Sequence, residues 1–443
     1  MKPMRLPALA MLAILSLDLA HAATAGKVGS PPAPAAEKGP LSGLPSAPGP
    51  NIEKIKSMGD NAWLKLGSPA ADPKWGKARG RAWCPHMSYA PELKAAFFTG
   101  EGVHAWYNKE NNKYMDDLWA YDVNAHRWIC VYPGSDIKTL SLKMDANGFE
   151  VDSDGQPIPV AQLVHAYEHV TYDTDRKKFM FMPSPSDFWL SIFGERRKEW
   201  GGGYPRPWCP LNCSPWMYNP AANKYEILKV QGAYPTPTTA ACCDDLVYVP
   251  SLKKLFFYRS ETKDAWLYDP QANTWTNLKP KGPPPPFGID ACACLDPKRE
   301  RIYIGGGYYP VAPGNNAFWC YDIKSNAWVD LQPKGKVCGG SNRFGPAEAT
   351  VNYDSANDVV VLLFHYAEQK PEDRGVYIYD PASNSWNETA LNVPKEVALA
   401  AGLYALSSSG FYSPELNAHF FYAALDSDDN GTMWAYRYKM AKK

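Results

Sequence analysis

The string His165-Ala166-Tyr167-Glu168-His169 puts two imidazoles and a phenol on one side of a strand, because successive strand residues face opposite ways. A His and Tyr pair can abstract and deliver a proton, with Arg343 or His86 neutralising a carboxylate of the substrate. The same imidazoles could ligate a transition metal, or serve only as hydrogen-bonded structural histidines. Outside the first 22 residues, His86, His165 and His169 fall on the inner strands of the first two repeats, and His104 and His365 lie in or beside insertions. Counting back along the six inner strands gives Cys84, Tyr167, Asp244, Asp290, Glu348 and Ser407, with Asp245 competing with Asp244. Asp244, Asp290 and Glu348 are therefore expected around one mouth. There they could bind a cation, act as acid and base, or accept hydrogen bonds from sugar hydroxyls; capping backbone or pairing with Arg is the alternative.

Aromatic residues crowd the long connections: Trp106, Tyr107, Trp189, Trp200, Trp208, Tyr308, Tyr309 and Tyr366. Flat rings with a polar edge suit the faces of sugars and of other amphipathic ligands. Asp426-Ser-Asp428-Asp-Asn430-Gly431 follows the opening of an EF-hand calcium loop, but its twelfth position is Arg437 where a bidentate Glu is needed. A turn is the expected reading, so calcium and transition metals stay open without an assigned cofactor. Ten cysteines in a chain with a leader favour disulfides over zinc. Cys209 and Cys213 could close a local loop. Cys242-Cys243 could form a strained vicinal bridge beneath a ligand or act as two structural cysteines reaching Cys292 or Cys294.

The elements that must position these groups are announced by a phrase that returns five times: Tyr121 to Trp128, Tyr218 to Tyr225, Tyr268 to Trp275, Tyr321 to Trp328 and Tyr379 to Trp386. A polar residue sits two before the second aromatic, as His126, Asn223, Asn273, Asn326 or Asn384, so each phrase reads as two short strands joined by a tight turn. Met433 to Tyr438 has the Tyr without a following Trp, and Asn61-Ala62-Trp63 has the other half with no Tyr strand before it. The halves complete each other, so an N-terminal strand should finish the last of six units and close a ring.

Two kinds of tight turn alternate along the chain and must share one face. The long connections at 100–116, 131–163, 184–214, 305–316 and 365–374 then share the other, which is where ligands are expected.

Met1 to Ala22 has the basic start, apolar run and Ala-His-Ala end of a secretory leader, and Asp18 interrupts a run too short to span a membrane. Residues 23–50, rich in Pro, Ala, Gly and Ser, read as a flexible tether, leaving 51–443 as one all-β domain. Lys plus Arg equals Asp plus Glu at 46 each, so there is no global field to hold nucleic acid or an anionic membrane. A soluble, exported protein, periplasmic or extracellular and monomeric, is expected.

Over residues 51–443 the chain resembles the kelch-repeat β-propeller family, especially exported bacterial members related to the propeller domain of galactose oxidase. The Tyr-x6-Trp phrase matches well, while the family's glycine doublet survives only in Gly305-Gly306-Gly307. The resemblance implies a six-bladed all-β propeller with one four-stranded sheet per repeat. It implies no single activity, because the family includes copper radical oxidases, sialic acid mutarotases, polysaccharide lyases and binding modules. The two-His, two-Tyr and Cys copper set of galactose oxidase has no counterpart that can be placed here. Two expectations remain: a module that binds a glycan, small molecule or protein partner, and a lyase or mutarotase built on His165, Tyr167, His169 and the acids.

Overall fold

The computed structural model describes residues 39–81, 84, 86–100, 107–108, 113–114, 117–134, 143–145, 150–157, 159, 169–182, 214–235, 244–259, 262–286, 289–308, 318–335, 350–363, 375–390, 393–400, 409–424 and 431–440. The chain is an all-β, six-bladed propeller, each blade a four-stranded antiparallel sheet. With strands named A to D from the centre outward, blade one is Ser88–Ala90, Ala95–Thr99, Leu118–Asp122 and Arg127–Tyr132. Blades two to five follow in chain order, with inner strands Val170–Asp173, Asp245–Val249, Ile289–Asp296 and Thr350–Asp354. Blade six takes Ser409–Ser413, Ala418–Ala423 and Thr432–Arg437 from the C-terminal end and Ala62–Gly67 from the N-terminal end. The A strands neighbour one another in order, and the sixth lies beside the first.

The repeated phrase is explained atom by atom. In every blade the strand C tyrosine stands directly opposite the strand D aromatic: Tyr121 with Trp128, Tyr218 with Tyr225, Tyr268 with Trp275, Tyr321 with Trp328 and Tyr379 with Trp386. The sixth pair, Tyr436 with Trp63, joins the two ends of the chain in the same register. The polar residue before each strand D has positive φ, 48° to 56°, which Asn tolerates better than most side chains. Its side chain also takes the tyrosine proton: Tyr321 Oη donates to Asn326 Oδ1 at 2.9 Å, Tyr379 to Asn384 at 2.9 Å and Tyr436 to Asn61 at 2.9 Å. Asn384 further donates to Leu331 O of the preceding blade at 2.6 Å. Replacing Asn384 by Ala should therefore cost about 1–3 kcal/mol in urea unfolding, from two lost bonds and a strained φ. Asn384→Gly should cost visibly less than Asn384→Ala if the backbone part of this account holds.

The core is distributed. Six buried apolar clusters among the described residues each lie between two neighbouring blades, running from blades one and two around to blades six and one. Stacked rings such as Phe256 on Tyr321, 4.9 Å between centroids, are the usual filling. Two further backbone bonds stitch neighbours at the rim: Lys334 N donates to Asn384 O and Trp386 N to Lys334 O, at 3.0 and 2.8 Å. Gly335 follows with φ 84°, where an added Cβ would meet Trp386 O at 2.4 Å. Lys281-Gly282 repeats the arrangement one blade earlier, a recurrence not anticipated from the sequence.

The expected flexible tether needs correction over its described part, residues 39–50. Leu41 is buried in the cluster between blades one and two, Ser46 Oγ donates to Asp122 Oδ1 at 2.8 Å, and Gly49 N donates to Asn124 O at 2.8 Å. The helix Pro50–Lys56 continues the strap and buries Ile52 and Ile55 against blades one and six. A few apolar anchors and satisfied backbone groups outweigh the loop-like composition.

Candidate functional site

All six A strands end in a short turn whose last residue has positive φ: Lys94, Lys177, Lys253, Glu300, Asp358 and Asn417. Counting back four residues from the last residue of each A strand gives one level of the channel: His86, His169, Asp245, Cys292, Thr350 and Ser409. Asp244 lies one residue out of register with this ring, and Asp290 lies two residues before its blade's member, Cys292. A shift of one residue turns a side chain to the opposite face of a strand. The expected trio of acids thus needs correction at Asp244, which is fully buried and turned to Arg259, Oδ2 to Nη1 at 3.7 Å.

Most of the ring is committed to structure. His169 Nε2 accepts from the Asp244 backbone N–H at 3.1 Å, and burial lowers its pKa to about 3, with Arg259 adding to the effect. Neutral at physiological pH and with Nε2 engaged, His169 is a poor proton acceptor, against the expected acid–base role. Ser409 Oγ donates to Cys84 O, and Cys292 Sγ to Gly305 O. Asp245 differs: it is fully buried, and neither carboxylate oxygen has a hydrogen-bond partner within bonding geometry among the described residues. Burial raises its pKa well above the usual carboxylate range and Asp244 adds to this, while the Ala293 N–H opposes it.

Asp245 and His86 line a central cavity of about 350 Å³ that extends to the A-to-B turns. Its walls are Thr171, Asn352, Phe411 and neighbouring apolar residues, and its rim is Pro250, Pro297, Ser355 and Pro414. Burial lowers the His86 pKa to about 4, so this ring is neutral at pH 7. Around the rim runs a girdle of phenols from the penultimate A-strand position. Tyr89 donates to Glu415, Tyr172 to Glu92 and Tyr248 to Asp175, each reaching the turn of the preceding blade. Tyr412 reaches Asp354 at 2.9 Å in the same sense, while Tyr353 donates to Asp358 of its own turn at 2.7 Å. Burial first, and the acid acceptors second, hold these phenols protonated. The Arg299 guanidinium holds the Asp358 carboxyl well below the usual range. The girdle escaped sequence reading, although a Tyr next to the A-strand end and an acid in the turn recur in several blades.

Of the other expected site residues, Asp290 and Tyr308 lie on the first two strands of blade four, Ile289–Asp296 and Arg301–Tyr308. His165, Tyr167, Glu348, His104, Trp106, Trp189, Trp200, Trp208, Tyr309, Arg343, His365 and Tyr366 lie outside the described residues, as do Cys209, Cys213, Cys242 and Cys243. Among the described residues no disulfide is found, and no group of three His, Cys, Asp or Glu is placed to hold a metal. Arg437, at the twelfth position of the EF-hand-like string, lies in a strand and bonds main-chain carbonyls. No described helix is long and apolar enough to cross a membrane.

Neither a protein-family profile nor a curated protein sequence matches the chain. Among solved structures it is similar to TolB from Acinetobacter baumannii, at 13% identity and a TM-score of 0.40, covering 75% of this chain and 63% of that one. An auxiliary nutrient binding protein from Bacteroides ovatus matches at 12% identity and 0.43, covering 85% of this chain and 77% of that one. The GH74 xyloglucanase from Xanthomonas campestris matches at 9% and 0.42, over 84% of this chain and 55% of that one. Identities and scores this low carry nothing about function.

Proposed function

We propose that this chain is an exported binding module that recognises a glycan or another amphipathic ligand on its loop-rich face. The observation that carries the reading is the segregation of connections. Every A-to-B turn and every described C-to-D turn is short and closes on one face, so the insertions leave from the other. A rigid ring presenting long, aromatic-rich loops on a single face is the arrangement of a binding surface. A leader ending at Ala22, kelch ancestry, disulfides among the cysteines outside the described residues, and a monomeric state belong to the same proposal.

A carbohydrate-active enzyme, lyase or mutarotase, is the second reading. It is weakened because His169 and Asp244, two members of its catalytic set, are tied to a backbone N–H and to Arg259. A thermal-shift screen of the mature chain against neutral and uronic-acid oligosaccharides, with and without calcium or copper, tests both. Stabilisation with the sugar recovered intact is expected. A shortened, unsaturated or oxidised product by mass spectrometry would establish the enzyme instead, and Tyr167→Phe should then abolish turnover while leaving binding within a few-fold.

A further inference from the structure

The central cavity opens on the face opposite the loop-rich one, and its lining has an unusual balance. The volume, about 350 Å³, lies in the range of small-molecule sites. Asp245 is on its wall, fully buried, with neither carboxylate oxygen hydrogen-bonded among the described residues. No Lys or Arg is among the described residues that line it, and His86 is neutral. Arg259, on the strand paired with that of Asp245, is turned to Asp244. A buried carboxyl with no cation beside it and the Ala293 N–H short of full bonding geometry is costly to keep, and a ligand that brings a positive charge and N–H donors removes the cost. Apart from Thr171 and Asn352, the remaining walls are mostly aromatic and aliphatic, with Tyr353, Phe411 and Tyr412 beside Val247 and Val351. Such surfaces favour hydrocarbon and cation over the many hydroxyls of a sugar.

We propose that this cavity is a site for a compact organic cation, an alkylammonium whose charge meets Asp245 and whose carbon skeleton lies among the rings. The site is independent of the glycan face and stands whether or not that face binds. Asp245 is approached by Asp244 and Tyr258 of its own blade, with His169 of blade two bonded to the Asp244 N–H. None of these supplies a positive charge, so the arriving ammonium lets Asp245 ionise and its proton passes to the buffer.

The test is calorimetry of the full mature chain with butylammonium and with its neutral counterpart 1-butanol, at pH 7 in two buffers of different ionisation heat. One butylammonium should bind at least about ten-fold more tightly than 1-butanol, with release of a proton that the buffer comparison reveals. Asp245→Asn should weaken the ammonium by about ten-fold or more and abolish the proton release. Ser355→Arg, at an exposed rim position that leaves the core untouched, should weaken it comparably by placing a fixed cation at the mouth. Equal affinity for the alcohol, undiminished binding by Asp245→Asn, or no binding of butylammonium at all would each overturn the proposal.

Discussion

Replacing Arg437 by Met should cost about 3–5 kcal/mol of folding stability, among the largest losses any single substitution in this chain can produce. The guanidinium is almost fully buried and donates to four main-chain carbonyls. Nη1 reaches Met58 O at 2.6 Å and Lys56 O at 3.1 Å, Nη2 reaches Leu416 O at 2.8 Å, and Nε reaches Asn417 O at 3.1 Å. The first two carbonyls lie in the N-terminal strap and the last two in the turn of blade six. Arg437 thus ties the segment that delivers the closing strand to the blade that receives it. Met fills similar volume but leaves those carbonyls buried and unpaired. Equilibrium urea unfolding measures the loss directly, and a change below about 1 kcal/mol would show that the closure does not depend on this residue. Limited proteolysis should also cut the strap of the variant before the blades.

Replacing Asp245 by Asn should act in the opposite direction and depend on pH. A carboxyl whose pKa is higher folded than unfolded keeps its proton in the native state while the unfolded chain releases it. Below the unfolded value, about 4, both states are protonated and the site costs nothing in this respect. As pH rises from there toward the folded pKa, stability falls by about 1.4 kcal/mol per unit, and above the folded pKa the deficit remains constant. Burial and Asp244 are what raise the folded value. Asn carries no such proton, so Asp245→Asn and the parent should have similar stability near pH 4 and diverge at pH 7, with the variant more stable. Unfolding midpoints measured across that window decide the point, and parallel curves would show that Asp245 is not held protonated. A residue that costs stability at working pH and sits on a cavity wall fits a binding role, the trade that functional sites commonly make.

The Tyr-x6-Trp phrase and its split copy made the blades, their number and the closing strand legible, because strand pairing and turn conformation are local and each demands particular residue types. An Asn that must hold positive φ and accept a phenol proton recurs wherever that geometry recurs, and Asn61 with Tyr436 shows the same bond formed across the whole chain. The channel was not legible. Asp244 and Asp245 are both acids at the start of one strand, and only the position of the turn after Val249 decides which one joins the ring with His86 and His169. Composition likewise suggested that 39–50 would be free, whereas a handful of contacts by Leu41, Ser46 and Gly49 hold it down.

The sequence by itself therefore determined the architecture: six units of alternating strands, short turns on one face, and a ring closed by its own N-terminal strand. Tertiary structure alone decided which side chains meet in the middle, that His169 is spent on a backbone N–H, that Asp245 has no partner in hydrogen-bond geometry among the described residues, and that tyrosines of one blade reach acids of the preceding one. The physical reason is the period of two. A pattern repeated every other residue specifies a strand and its buried face over many positions. The chemistry of the channel depends on one residue of register in each of six separate strands, and that is settled only when all six pack around a common axis.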